Sequence, residues 1–128
     1  MPNKKEVSEN MILIAKDNNI GYLLISNILK KAGFDFVRAK NGAEAVDLCK
    51  QRLDIQLVLM DINMPVMDGL EATRIIRSFR PDLPVIAVTA YTADNTRNVA
   101  LEAGCDDYIP KPVDKSLVIE KIKELLHK

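Results

Sequence analysis

The stretch Ile55-Gln-Leu-Val-Leu-Met-Asp-Ile-Asn-Met-Pro-Val-Met-Asp-Gly69 decides the fold. Its first six residues are apolar apart from Gln56, and such a run is typical of a strand buried on both faces of a sheet. The residues that follow contain Pro65 and predict a loop. Asp68 and Glu71, three positions apart, are typical of a capped helix N-terminus. The stretch therefore predicts a buried strand, a loop and a helix, in that order.

The same alternation continues on both sides of this stretch. Apolar runs at residues 11–15, 34–39, 85–88 and 108–109 predict four more strands. Helices are predicted between them, with Gly33 and Gly104 as stops and Asn41 and Asp114 as caps. Their apolar sets include Ile20, Leu24, Ile28 and Ala32 in the first helix, Ala45, Val46, Cys49 and Leu53 in the second, and Leu117, Val118, Ile122 and Leu125 in the last. Apolar strands alternating with helices predict an α/β fold, a doubly wound parallel sheet of five strands in a three-layer domain.

Length and composition fit one domain. The chain has 128 residues, and its Lys+Arg and Asp+Glu counts are both 18, so the formal net charge is zero. This balance does not suggest nucleic acid or an acidic membrane surface as a partner. No apolar run approaches the ~20 residues of a membrane span, and residues 1–10 lack the apolar core of a signal peptide. We therefore expect a cytoplasmic protein with a flexible N-terminal segment at residues 1–10 and one domain at residues 11–128.

The two cysteines carry no evident chemistry. Cys49 and Cys105 form no CxxC pair, and the chain has a single His to join them. This arrangement argues against a disulfide framework and against a zinc site. We expect both cysteines to be small side chains in or near the core.

Polar side chains follow the predicted strands, at the edge where a parallel α/β sheet binds its ligands. They are Lys16, Asp17, Asp61, Thr89 and Lys111, with Lys40 outside the cluster. A carboxylate that attacks phosphorus needs positive charge on the incoming oxygens, which a divalent cation can supply. In such a site Asp61 would be the nucleophile and Asp17 a metal ligand, with the backbone carbonyl of Asn63 completing the oxygen shell. Thr89 and Lys111 would hold phosphoryl oxygens.

Five segments of the chain resemble one protein family. They are Ile12-Leu-Ile-Ala-Lys-Asp-Asn18, Asp61-Ile-Asn-Met-Pro-Val-Met-Asp-Gly69, Val88-Thr-Ala90, Glu102-Ala-Gly-Cys-Asp-Asp-Tyr-Ile109 and Lys111-Pro112. Together they resemble the receiver domain of bacterial response regulators and hybrid sensor kinases, over residues 11–127. The second and the last of these segments are the most specific.

The resemblance implies a flavodoxin-like receiver fold with strand order 2-1-3-4-5. It implies two-component signalling, in which Asp61 accepts a phosphoryl group from the phosphohistidine of a histidine kinase. It makes Lys111 a contact of the acyl phosphate, with a cis peptide before Pro112. Thr89 and Tyr108 would be the pair that shifts inward when the phosphoryl group arrives, and this switch would regulate an output partner.

The resemblance also implies a cofactor and partners. The cofactor is Mg²⁺, bound by Asp17, Asp61 and the backbone carbonyl of Asn63. The upstream partner is a sensor histidine kinase or a histidine phosphotransfer domain, and the downstream partner is an output domain or protein. We expect mainly a phosphoacceptor switch, with no direct contact to nucleic acid or membrane. We expect the chain to be a stand-alone regulator or, by analogy with the receivers of hybrid kinases, part of a larger histidine kinase.

Lys16 departs from the family pattern. Family members usually have two adjacent acidic residues after the first strand, whereas this chain has Lys16 followed by Asp17. A cation there would repel a divalent ion or pair with Asp61. At about 5 Å and an effective dielectric of ~20, one such charge contact is roughly 3 kcal/mol before screening. We therefore expect Mg²⁺ to bind more weakly than in receivers with two acids.

Two other functions fit the same fold. A pseudo-receiver would bind partners without phosphorylation, and Lys16 favours it because its charge imitates that of a metal ion. A flavin or nucleotide binder is the second alternative. The segment Lys16-Asp-Asn-Asn19 argues against this one, because it has no glycine-rich phosphate cradle.

Overall fold

The computed structural model describes residues 11–89 and 96–126. Five strands alternate with five helices along this part of the chain. The strands are β1 Met11–Ala15, β2 Asp35–Ala39, β3 Ile55–Asp61, β4 Val85–Thr89 and β5 Asp107–Pro110. The helices are α1 Asn19–Lys31, α2 Gly42–Gln51, α3 Gly69–Phe79, α4 Thr96–Ala103 and α5 Lys115–Leu126. The segment 1–10, which the sequence predicts to be flexible, lies outside the described residues. The sequence also predicts the fourth helix at residues 94–103, and the first two of these residues lie outside the described part of the chain as well.

The five strands form one parallel sheet in the order β2-β1-β3-β4-β5. The predicted strand order and the doubly wound class are therefore confirmed. Ala15 lies opposite Ala39 on one side and Met60 on the other, so β1, β2 and β3 end at nearly the same level. Of the helices in the described residues, none is long and apolar enough to cross a membrane.

Each face of the sheet is covered by its own apolar cluster. Leu13, Val58 and Ala87 point to the cluster that includes residues of α2 and α3. Ile12 and Leu57 point to the opposite cluster, which includes residues of α1 and α5. Neighbouring residues of one strand thus enter different cores, and fully burying one large apolar side chain contributes about 1.5–3 kcal/mol. This double burial explains why the strands are apolar along nearly their whole length.

The helix ends follow the predicted signals. Asn41 accepts a hydrogen bond from the amide of Glu44 at 2.8 Å, and Asp68 accepts one from the amide of Glu71 at 2.9 Å. Asp114 accepts one from the amide of Ser116 at 2.8 Å. These side chains satisfy amide groups that the first turn of a helix leaves without a partner.

The predicted apolar face of α1 was wrong at Ile20 and Leu24, which are 80% and 50% exposed. A spacing of four residues advances by about 40° more than a full turn at each step, so a series with this spacing spirals around the helix. The face that covers the sheet instead contains Ile25, Ile28 and Leu29.

Leu53, predicted on the apolar face of α2, is also exposed. It is 75% exposed because α2 ends at Gln51 and Leu53 lies in the turn that follows. The remaining predicted residues of that face are buried in the core.

Candidate functional site

The candidate site lies at the carboxyl edge of the sheet. Asp61 is the last residue of β3, and its neighbour in β4 is Val88. Thr89 ends β4, Lys16 directly follows β1, and Lys111 directly follows β5. Four of the predicted site residues therefore come from four strand ends, on the side of the sheet where α/β proteins bind ligands.

Asp61 is buried, and both oxygens of its carboxylate have partners. Its side chain is 1% exposed. Oδ2 accepts a hydrogen bond from Nζ of Lys16 at 2.7 Å. Oδ1 accepts one from the backbone amide of Asn63 at 3.1 Å and lies 3.5 Å from Nζ of Lys111. A buried carboxylate is stable as an anion only with such compensation, and these contacts fix its orientation.

The two ammonium groups on Asp61 are not equivalent. Burial by itself would lower the pKa of Lys16, but its hydrogen bond to Asp61 and the negative charges of Asp61 and Asp17 outweigh burial and raise the pKa above 10.5. Burial and the neighbouring Lys16 ammonium lower the pKa of Lys111. Lys16, at 2.7 Å, is thus the closer counter-ion of the carboxylate, and Lys111 lies further away at 3.5 Å.

The backbone that carries Lys16 is fixed by its neighbours. The amide of Lys16 donates to the carbonyl of Ala39 at 2.9 Å. Nε and Nη2 of Arg38 each donate to the carbonyl of Lys16 at 3.1 Å, and Nη2 also donates to the carbonyl of Asp17 at 3.1 Å. The guanidinium lies 4.5 Å from the ring centroid of Tyr22, a cation–π contact that holds it in place.

The stem of Lys16 runs along the first turn of α1. A Cβ atom at Gly21 would lie 2.5 Å from Cε of Lys16, so no larger side chain fits there without displacing the lysine. Neither Gly21 nor Arg38 was predicted from the sequence. Two features of the sequence could have pointed to them. Gly21 lies inside a predicted helix, where glycine costs about 1 kcal/mol of stability relative to alanine, and Arg38 lies within a short strand.

The backbone of the loop after Asp61 packs closely against two glycines. The amide of Gly42 donates to the carbonyl of Met67 at 3.0 Å, and the amide of Gly69 donates to the carbonyl of Ile62 at 2.9 Å. A Cβ atom at Gly42 would overlap the carbonyl of Met67, and one at Gly69 would overlap the carbonyl of Asp61. This close approach fixes the path of the chain immediately after the carboxylate.

The remaining predicted residues lie around this centre. Thr89 is fully buried, and Tyr108 is half-buried against the apolar cluster on the α2 and α3 side of the sheet. The peptide between Lys111 and Pro112 is cis, as expected. Asp17 and Asn63 are exposed, although the amide of Asn63 is bonded to Asp61.

The geometry also tests the predicted metal ion. Carboxylate and carbonyl oxygens suit Mg²⁺ in kind. However, residues 11–89 and 96–126 contain no group of three or more His, Cys, Asp and Glu side chains that could hold a metal ion. Nζ of Lys16 occupies one of the positions beside Oδ2 of Asp61 that a bound cation could use. With the side chains in these positions, the ammonium of Lys16 competes with a metal ion for Asp61.

Comparison with known proteins places this chain in a family. The model of the response regulator receiver domain matches residues 12–123. The polar-differentiation response regulator DivK of Brucella anthropi is 34% identical over 117 residues, which cover 90% of this chain and 94% of DivK. Hybrid signal transduction histidine kinase M of Dictyostelium discoideum is 37% identical over 121 residues, which cover 90% of this chain and 5% of the kinase. The chain therefore spans only a small part of the length of that kinase.

Two solved structures are similar in sequence and fold. The receiver domain of Ssk1, in co-crystal with the histidine phosphotransfer protein Ypd1 of Saccharomyces cerevisiae, is 31% identical with a TM-score of 0.85, covering 93% of this chain and 90% of that one. The receiver domain of sensor histidine kinase PA1611 of Pseudomonas aeruginosa holds a magnesium ion in its active-site cleft. It is 29% identical with a TM-score of 0.86, covering 94% of this chain and 100% of that one. With its 2-1-3-4-5 sheet, this chain belongs to the response regulator receiver domain family of two-component signal transduction.

Proposed function

We propose that Asp61 accepts a phosphoryl group from the phosphohistidine of a sensor histidine kinase or of a histidine phosphotransfer domain. The observation that carries this proposal is a buried carboxylate oriented by an amide and flanked by two ammonium groups. An oxygen of Asp61 forms a bond to phosphorus while the bond between phosphorus and the histidine nitrogen breaks. The imidazole keeps the electron pair of that bond and takes a proton from solvent.

The neighbouring side chains have separate tasks in this reaction. The ammonium groups of Lys16 and Lys111 offset the negative charge of the incoming phosphoryl oxygens. Thr89 ends the strand next to Asp61, so that its hydroxyl can bind a phosphoryl oxygen after a short movement. Tyr108 follows this movement toward the core, which changes the surface formed by α4, β5 and α5. The partner of that surface is an output domain or protein.

Mg²⁺ is proposed as a weak ligand of the same site. Its ligands would be Asp17, Asp61 and the backbone carbonyl of Asn63, and it supplies positive charge to phosphoryl oxygens when bound. To bind, the ion has to compete with the ammonium of Lys16 for Asp61. The proposal is supported by the magnesium ion in the cleft of the PA1611 receiver domain.

Incubation with acetyl phosphate, followed by intact-mass measurement, tests the acceptor. The wild-type chain is expected to gain one phosphoryl group, and Asp61→Asn is expected to gain none because the nucleophilic oxygen is lost. Asp82→Asn is the matched control, because Asp82 is an exposed aspartate outside the site and its variant should be labelled like the wild type. Labelling that persists in Asp61→Asn would show that another residue is the acceptor.

A second candidate function is binding of partners without phosphorylation. The ion pair between Lys16 and Asp61 favours it, because an internal cation can hold the site in a single state. In that case the wild type would remain unlabelled by acetyl phosphate and by every histidine kinase supplied. The same labelling experiment therefore separates the two functions.

Binding of beryllofluoride, a stable phosphoryl mimic, tests the switch. NMR chemical shifts should change around Asp61 and also along α4, β5 and α5. Since a ligand shifts a conformational equilibrium only by binding its two states differently, changes confined to the rim around Asp61 would contradict the switch.

A further inference from the structure

We propose that the ammonium of Lys16 is the resident cation of the acceptor site, in the place of a divalent metal ion, and that Gly21 and Arg38 position it there. What this role of Lys16 predicts for phosphorylation rests on the proposed function of Asp61. What it predicts for metal binding is independent of that function.

The first argument is the position of the charge. Nζ of Lys16 lies 2.7 Å from Oδ2 of Asp61, and the two side chains are only 11% and 1% exposed. A metal ion bound on the same side of Oδ2 would occupy the same space, and on either side it would carry the same sign of charge as the ammonium. The ammonium and the ion therefore compete for one carboxylate, and dissolved salt screens this buried pair much less than it screens a pair on the surface.

The second argument is that the lysine is held in place by its surroundings. The backbone of Lys16 is bonded to Ala39 and to Arg38, and its stem fits because Gly21 has no Cβ atom. A lysine on an open surface loses considerable side-chain entropy when it is ordered. Here, part of that freedom is already removed by the backbone contacts and by the narrow path over α1.

The third argument is the balance of charge around Asp61. Two ammonium groups contact one carboxylate, because Lys111 lies 3.5 Å from the other oxygen. Both side chains in direct contact with the carboxylate are thus cationic, and ammonium groups repel a divalent cation and attract a phosphoryl dianion, although the negative charge of Asp17 also acts on Lys16. We therefore expect Asp61 to accept a phosphoryl group without a metal ion.

Metal affinity tests the inference independently of phosphorylation. Mg²⁺ titration, followed by calorimetry and by NMR of the site amides, would compare the wild type with Lys16→Asp. The variant should bind Mg²⁺ about tenfold more tightly or better, because the competing cation becomes a ligand. Lys30→Asp makes the same charge change at an exposed position in the last turn of α1, and its affinity should stay near that of the wild type. Equal affinities of the wild type and Lys16→Asp would overturn the inference.

A chelator tests the consequence for phosphorylation. When acetyl phosphate reacts, the new bond joins Asp61 to phosphorus, and acetate leaves with the electron pair of the broken bond. Excess EDTA should leave labelling of the wild type nearly unchanged and should slow labelling of Lys16→Gln by about tenfold or more. Loss of wild-type labelling in EDTA would overturn the inference. A wild type that is unlabelled with and without Mg²⁺ would instead reject the proposed function, and the titration would still decide the role of Lys16.

Gly21→Ala tests the positioning role of Gly21. Alanine is the better helix former, so α1 should remain folded while the new methyl group displaces the stem of Lys16. Mg²⁺ affinity should rise several-fold in Gly21→Ala. In the Lys16→Gln background, the same glycine change should have no further effect, because the displaced ammonium is already absent. An unchanged Mg²⁺ affinity in Gly21→Ala would show that Gly21 does not position Lys16.

Discussion

Val66, in the loop after the acceptor, has a φ of +69°. A β-branched residue rarely adopts this left-handed conformation, which costs about 1–3 kcal/mol. The amide of Met67 donates to the carbonyl of Pro65 at 2.7 Å, which closes a three-residue turn around Val66. The side chain of Val66 is 84% exposed and contributes little packing in return. The position thus stores strain next to the site.

Val66→Gly is expected to stabilise the protein. Glycine adopts a positive φ without steric cost, and this gain should exceed the entropy that glycine adds to the unfolded chain. We expect the free energy of unfolding to rise by about 1 kcal/mol in urea denaturation. Leu53→Gly is the control, because Leu53 is also exposed and has no positive φ, so its variant should be destabilised. Equal losses in the two variants would show that Val66 is unstrained.

The site residues that could be predicted from the sequence are those at the ends of strands. Asp61, Lys16 and Lys111 each follow or end an apolar run, so the sequence brings them to one edge of the sheet. Gly21 and Arg38 were missed because they act through space and backbone contacts rather than through a motif. Their roles depend on the path of the Lys16 side chain, which no sequence pattern specifies.

At the scale of secondary-structure elements, the sheet was predicted more accurately than the faces of the helices. The strands are buried on both sides, so a run of apolar residues is enough to identify them. A helix buries only one stripe of side chains, and which side of the helix that stripe lies on depends on how the helix packs on the sheet. Ile20 and Leu24 share a spacing with Ile28, yet they lie on the exposed side of α1.

Gly69→Ala is expected to disturb the junction between β3 and α3. Alanine normally stabilises a helix by about 1 kcal/mol relative to glycine. Here a Cβ atom would overlap the carbonyl of Asp61 and lie 2.8 Å from Cγ of Met60, so we expect a net loss of about 2 kcal/mol in free energy of unfolding. Urea denaturation measures the loss, and phosphorylation by acetyl phosphate should also slow because Asp61 shifts. Asn27→Ala, on the exposed side of α1, should not be destabilising. A stabilised Gly69→Ala would mean that the backbone yields freely at this junction.

At the scale of the whole molecule, both cysteines report on global unfolding. Cys49 and Cys105 are buried and unpaired, as expected from the sequence. Burial raises the pKa of both thiols from 9.0 to about 11. Both thiols therefore remain protonated and unreactive at neutral pH in the folded protein.

Alkylation of both cysteines should therefore follow unfolding of the whole domain. In a urea series at neutral pH, the two thiols should become reactive together, at the midpoint seen by circular dichroism. Fast alkylation of either thiol in the native protein would reveal local opening instead.

Alkaline pH should destabilise the folded protein through the same thiols. The unfolded chain loses the thiol protons near pH 9, whereas the folded pKa is about 11. The thiol contribution is therefore fully present below pH 9 and decreases between pH 9 and 11. Cys49→Ala and Cys105→Ala should each reduce this pH dependence of the free energy of unfolding, because each variant removes one of the two thiols. An unchanged pH dependence in both variants would assign the effect to other groups.

The order of the strands followed from the family resemblance, since periodicity alone predicts a parallel sheet without fixing its order. The cytoplasmic location, the flexible segment at residues 1–10 and the identity of the output partner stay predictions. They depend on surroundings of the domain that its own packing does not determine.

The narrow path of Lys16 over Gly21 has a consequence for natural variation. The two positions lie five residues apart and share one space, so a mutation at one changes the selection on the other. In related receivers with lysine directly after the first strand, the residue five positions later should nearly always be glycine. Where an acidic residue replaces the lysine, alanine or serine should become common there. An alignment of receivers, sorted by the residue at the position of Lys16, should show that the residue at the position of Gly21 varies with it. Independent variation of the two positions would contradict this expectation.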